Sequence, residues 1–174
     1  MRYTDFLKAT VFLAAGEATA LAAVTVAVAA ARGDTTLLIF SLAWWTIAAI
    51  LGAWLGRRLE TTASIGALLA DAPTTTTLPE VRPASVLLNR LWLLALSALL
   101  AAGLSWLIPQ LASVVAGGSI LIALAWRKQE RAVTAIEERD GARFYVVPTS
   151  PFKKIELVRT GGLRRLRSVN GAGA

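Results

Sequence analysis

Glu17 is the residue whose type and setting most invite chemistry. It lies in Ala14-Ala15-Gly16-Glu17-Ala18-Thr19-Ala20, inside a long apolar run. An ionisable group in such surroundings is costly and marks a functional position by default. Two uses fit. It could be the exchange site of a proton- or cation-coupled transporter. It could instead hold helices together through a hydrogen bond or ion pair, with Asn89 and Arg90 as candidate partners. The long side chain of Arg90 could reach inward to it or snorkel outward.

Two other groups of residues stand out. Gly52 and Gly56 form a GxxxG pair, Gly16 and Ala20 a GxxxA pair, and Ser113 and Gly117 a similar one. Such spacing lets helix backbones approach closely, within one bundle or between two copies of the chain. Lys153, Lys154, Arg159, Arg164, Arg165 and Arg167 make a basic tail suited to anionic lipid headgroups. Gly161-Gly162 interrupts any continuous recognition helix there, and no nucleic-acid-binding signature accompanies it. Glu137, Glu138 and Asp140 read as a solvated helix face.

Much chemistry is excluded. The chain has no Cys and no His. Disulfides, thiol catalysis, zinc sites of the Cys/His type and a Ser-His-Asp triad are therefore impossible. No phosphate loop or dinucleotide-binding glycine pattern is present. No enzymatic activity, cofactor or metal is expected.

The elements that must position these residues follow from hydropathy. Of 174 residues, 56% are hydrophobic, and the mean hydropathy is +0.60. Apolar runs at 9–31 and 35–56 each suit one membrane span. The charge-free run 91–126 would make a single helix about 54 Å long, against a hydrocarbon core of about 30 Å. Pro109-Gln110 near its middle divides it, giving spans at about 86–108 and 111–126. Lipid offers no partner to backbone N–H and C=O groups, so the spans must be helices. The first run exceeds a typical signal-peptide core and contains Glu17, so it is expected to be retained.

Orientation follows from charge. Among 18 Lys and Arg, Arg32 is the only one in the 1–2 or 3–4 connection. The positive-inside rule then places both termini in the cytoplasm. Trp54, Trp92 and Trp126 fall at the inner interface and Trp106 at the outer one, while Trp44 and Trp45 lie deeper, as packing residues. The loop 57–85 carries a short amphipathic stretch, 59–69, and the linker Pro73-Thr74-Thr75-Thr76-Thr77-Leu78-Pro79. After Trp126 the helix continues into water, with Arg127 and Glu130 spaced to pair, and ends at Asp140-Gly141. Arg143–Val147 and Lys154–Val158 read as strands of a hairpin, and 168–174 as a disordered end. A weak parallel repeat relates Trp54-Arg57-Arg58-Glu60 to Trp126-Arg127-Lys128-Glu130.

The expected fold is thus an all-α membrane protein. A four-helix transmembrane bundle of two helical hairpins fills 1–128. A cytoplasmic helix extension, a small β-hairpin and the basic tail fill 129–174. Its Ala and Arg richness and its Arg139-Asp140-Gly141-Ala142-Arg143-Phe144-Tyr145 segment resemble small membrane proteins of high-GC bacteria. Four helices with a glutamate in the first also resemble the small multidrug resistance transporters. The expected function is a non-enzymatic accessory or scaffold subunit of the plasma membrane that touches anionic lipid, a membrane-protein partner or another copy of itself. The alternative is a small proton-coupled transporter using Glu17.

Overall fold

A computed structural model describes residues 1–61, 69, 72–74, 83–147 and 155–161. It is mostly helical. The elements run α1 (Tyr3–Arg32), α2 (Thr35–Thr61), α3 (Pro83–Leu104), α4 (Pro109–Asp140), β1 (Ala142–Val146) and β2 (Leu157–Gly161). Among the described residues, four helices are long and apolar enough to cross a membrane.

The breaks between helices have local causes. Gly33 takes the left-handed conformation, φ 65°, that closes α1, and its N–H and that of Asp34 return to Ala30 O and Ala29 O. Asp34 then caps α2, accepting from the Leu37 N–H at 2.9 Å on Oδ1. The long charge-free run breaks at 105–108, just before the Pro109-Gln110 break expected from the sequence. Leu107 and Ile108 donate back to Leu104 O, and Pro109 is the first residue of α4. Proline lacks only an N–H that no helix start uses, so it opens the helix instead of occupying the turn.

Helix α4 is the centre of the bundle. It packs along both α1 and α2, whereas α1 and α2 touch each other little and α3 rests lightly on α1 and α4. The principal contacts thus cross between the two sequence-adjacent pairs. Side-chain size explains this. A Cβ added at Gly52 would stand 2.9 Å from Leu121 O, and one at Gly56 would stand 2.8 Å from Leu124 O. The α2 and α4 backbones approach that closely only because both positions are glycine. Nearer the other end, Trp44 Nε1 donates to Val114 O at 3.2 Å and Trp45 Nε1 to Ser113 O at 3.0 Å. The Trp44 ring fills the space a side chain at Gly117 would need. Leu-rich α3 has no such backbone contact.

The bundle is built small side in. Ala14, Ala48, Ala112, Ala116, Ser113 and Thr25 are buried, while Phe12, Ile39, Leu42, Leu99 and Leu107 are exposed, Leu107 at 78%. A water-soluble domain shows the reverse arrangement.

One end, the base, has a conventional core. Tyr3, Phe6 and Leu7 of α1, Val133 of α4, Leu69, Ala72, Val86, and Phe144, Val146 and Leu157 of the strands pack together there. β1 and β2 pair antiparallel, with Phe144 opposite Arg159 and Val146 opposite Leu157. The second strand lies later than the expected Lys154–Val158. Both edges of this sheet are occupied, which accounts for the shift. Val146 N–H donates to Met1 O at 3.0 Å beside the Arg2–Tyr145 bridge. Arg159 N–H donates to Pro73 O at 2.9 Å beside the Thr74–Arg159 bridge. Pairing with 73–74 needs the chain around Arg159 to be extended. A two-stranded hairpin is marginal alone, and these additions and the helices beneath supply the missing support.

The close α2–α4 contact has a direct test. Gly52→Ala and Gly56→Ala should each destabilise the chain by about 1–3 kcal/mol, because the obstacle is backbone that cannot turn aside. Gly16→Ala meets no atom within 4 Å and should be neutral. Thermal unfolding of the detergent-solubilised variants compares the three, and equal losses would contradict this packing.

Candidate functional site

Glu17 is buried, with 8% of its surface exposed. It lies on the α1 face shared by Ala14, Leu21 and Val28, one helical stripe of buried residues. That stripe is pressed on α4 by the small residues opposite, so the carboxylate is held between helices by its own neighbours' packing. Ser97 of α3 donates to Oε1 at 3.1 Å. Ser119 of α4 faces the same carboxylate. Oε2 is buried and has no hydrogen-bond partner.

The donor at Glu17 is therefore a serine, and not Asn89 or Arg90. Those two residues lie near the start of α3, Asn89 exposed and Arg90 half-buried. Arg90 precedes Ser97 by about two turns, roughly 10 Å along the helix axis. Serine gives little sequence signal in an apolar run, because its hydroxyl commonly bonds its own helix. The one clue is spacing, since Ser97 lies two turns after Arg90 on the same face of α3.

The small-residue pairs separate in space. Gly52, Gly56 and Gly117 lie at the α2–α4 contact. Ser113 is fully buried there, with its carbonyl accepting from Trp45 and its hydroxyl without a partner. Gly16 and Ala20 lie on an exposed side of α1. Of the basic tail, Arg159 is described, and it is half-buried in β2. Lys153, Lys154, Arg164, Arg165 and Arg167 lie outside the described residues, as do most of the amphipathic stretch 59–69 and the end 168–174.

A second buried carboxylate went unread in the sequence. Glu137, expected on a solvated face, is 7% exposed. It follows Val133 by one turn and shares its buried face. Its Oε1 accepts from the Phe144 N–H at 3.0 Å and its Oε2 from Arg2 at 3.1 Å. It thus ties the N terminus, α4 and β1 at one point. Higher on the same two helices, Lys8 pairs with Glu130 at 3.3 Å, so Glu130 reaches across to α1 and not along α4 to Arg127. At the opposite end Arg32 donates to the Trp106 carbonyl, linking the α1–α2 and α3–α4 connections. Beside it an open depression of about 240 Å³ is lined by Asp34, Thr36, Leu37, Phe40 and Gln110.

No known family model matches the chain, and no curated protein or solved structure is significantly similar to it.

Glu137→Ala should free the buried Phe144 N–H and cost about 1–3 kcal/mol. Arg2→Ala should cost less, since 40% of the Arg2 side chain is exposed and solvent screens the pair. Hydrogen exchange at the Phe144 amide reads the difference: it should accelerate strongly in Glu137→Ala and weakly in Arg2→Ala.

Proposed function

We propose that this chain is a multi-pass protein of the plasma membrane, with both termini in the cytoplasm, acting as a non-enzymatic accessory or scaffold subunit. The small-inside, large-outside bundle carries the membrane part of this reading. Hydrocarbon is a solvent in which exposed Leu, Ile and Phe cost nothing and close packing must hold the helices together. The base is its cytoplasmic face. Lys8, Arg57, Arg127, Arg131, Arg139 and Arg143 are exposed at or near that end. At the far end Arg32 already serves the Trp106 carbonyl. A basic face one Debye length or less from a bilayer attracts anionic headgroups at about 1 kcal/mol per Lys or Arg. The sheet over the base, its edges closed by Met1-Arg2 and Pro73-Thr74, supplies a firm surface for lipid or for a protein partner.

A second reading is proton-coupled transport through Glu17. The observation favouring it is the buried Oε2 without a donor, an unmet need that a purely structural carboxylate would have satisfied.

Single cysteines introduced at Gly33 and Gln110 should react with an impermeant thiol reagent added outside intact cells. Cysteines at Thr75 and Ala174 should react only after the membrane is opened. Reaction at either of the last two in intact cells would overturn the orientation. For the lipid contact, particles excised from the membrane with their own lipid should be enriched in anionic species. The enrichment should fall when Arg164, Arg165 and Arg167 are changed to Gln. Lipid of bulk composition around the native chain would remove the lipid proposal and leave the protein partner.

A further inference from the structure

The hydrogens around Glu17 can be counted. A serine hydroxyl owns one hydrogen and two lone pairs. Ser97 Oγ stands 2.8 Å from Leu94 O and 3.1 Å from Glu17 Oε1, so one hydrogen faces two acceptors. The hydroxyl of Ser119 donates to Val115 O at 3.1 Å, one turn back on its own helix. The Ser119 hydrogen likewise has the carboxylate as a second acceptor, so two hydroxyl hydrogens serve two backbone carbonyls and the carboxylate, and Oε2 is left without a partner. Three helices thus bring together a carboxylate and two hydroxyl oxygens rich in lone pairs and short of hydrogens. A buried acceptor cluster of that kind is costly unless something positive sits in it.

We propose that Glu17, Ser97 and Ser119 form an oxygen-only binding site for a small monovalent cation such as sodium. A proton answers the deficit poorly. It would bring a hydrogen to one oxygen only and leave the lone pairs of both hydroxyls unused. A cation needs no acceptor. It draws on lone pairs of Glu17 and of both hydroxyls while their hydrogens stay on Leu94 O and Val115 O. Hard oxygen ligands suit an ion of the alkali type. Charge sets the valence. The site holds one carboxylate, and no group of three acidic, His or Cys residues exists among the described residues to hold a divalent ion. The inference rests on the packing of α1, α3 and α4, and on neither functional reading, since a bound ion can be a fixture or a passenger.

The test is thermal unfolding of the purified full-length chain in mild detergent, in sodium, lithium, potassium, magnesium or choline chloride at constant ionic strength. Sodium or lithium should raise Tm by a few degrees over choline, saturably, as expected for a ligand that binds only the folded state. Magnesium should give no saturable shift. Glu17→Gln should lose the sodium response. Ser97→Ala combined with Ser119→Ala keeps the carboxylate and removes two ligands, and should weaken the sodium response at least tenfold in concentration. If Glu17→Gln does not fold, radioactive sodium binding to the native and double-serine chains decides, with one ion per native chain displaced by lithium but not by choline. Equal Tm in sodium and choline for the native chain, or a sodium response that survives in Glu17→Gln, would overturn the proposal.

Discussion

Everything above the base depends on how closely the α2 and α4 backbones approach. In a medium as apolar as the side chains themselves, burying leucine gains little, and helices are held by contact area and by polar groups that find partners. The chain meets this constraint by removing side chains. Gly52 and Gly56 let Leu121 and Leu124 carbonyls come within a Cβ's reach, and the absent side chain of Gly117 admits the Trp44 ring. The two indoles then donate to carbonyls of α4, where the inward stripe of α1 also packs. Glu17 is buried because α4 is narrow on that side as well, with Ala112, Ala116 and Ala123 in place of larger residues. The candidate site is therefore a product of small residues far from it in sequence.

Helix α4 also carries this geometry out of the bundle. It runs without a break from Pro109 to Asp140, so its apolar part and its charged part form one rod. Lys8–Glu130 and Arg2–Glu137 join that rod to α1, and the Phe144 N–H joins it to the sheet. Below these pairs the packing rules change. Phe6, Phe144 and Leu7 are large and fully buried, as in a water-soluble core. One helix thus serves two kinds of packing, and its sequence changes from Ala, Gly and Ser to Val133, Ile136 and Glu137 between them.

Four helices were legible in the sequence as long apolar runs, and a hairpin as two short β-branched and aromatic segments either side of a proline-rich turn. The sequence placed Gly52, Gly56 and Glu17 among residues of interest for sound physical reasons. What it hid is mostly a matter of partners. Ser97 and Ser119 look like ordinary helix serines until the fold sets them against Glu17. Glu137 looks solvated beside Glu138 and Arg139, and only its spacing from Val133 hints at burial. The contact of α4 with α1 and α2 in preference to α3 depends on side-chain volumes at matching heights, which one sequence cannot align. The break before Pro109 was displaced because proline can begin a helix as readily as end one. The second strand slipped because Pro73-Thr74 pairs with it from a loop that gives no strand signal.

Met1 and Arg2 complete the sheet, and this sets an order of events during synthesis. The first two residues leave the ribosome well before Glu137, Tyr145 and Val146 exist. At translation rates of about 5–20 residues per second the interval is on the order of ten seconds. Through that time the start of α1 has no sheet to join. The base can close only after the fourth helix is in place and the hairpin has emerged. Closure of Met1 and Arg2 on Tyr145 and Val146 makes the base a check that the helices between them have packed. A chain lacking α4 would leave Tyr3, Phe6 and Leu7 uncovered, an apolar flag for the cell's quality-control proteases.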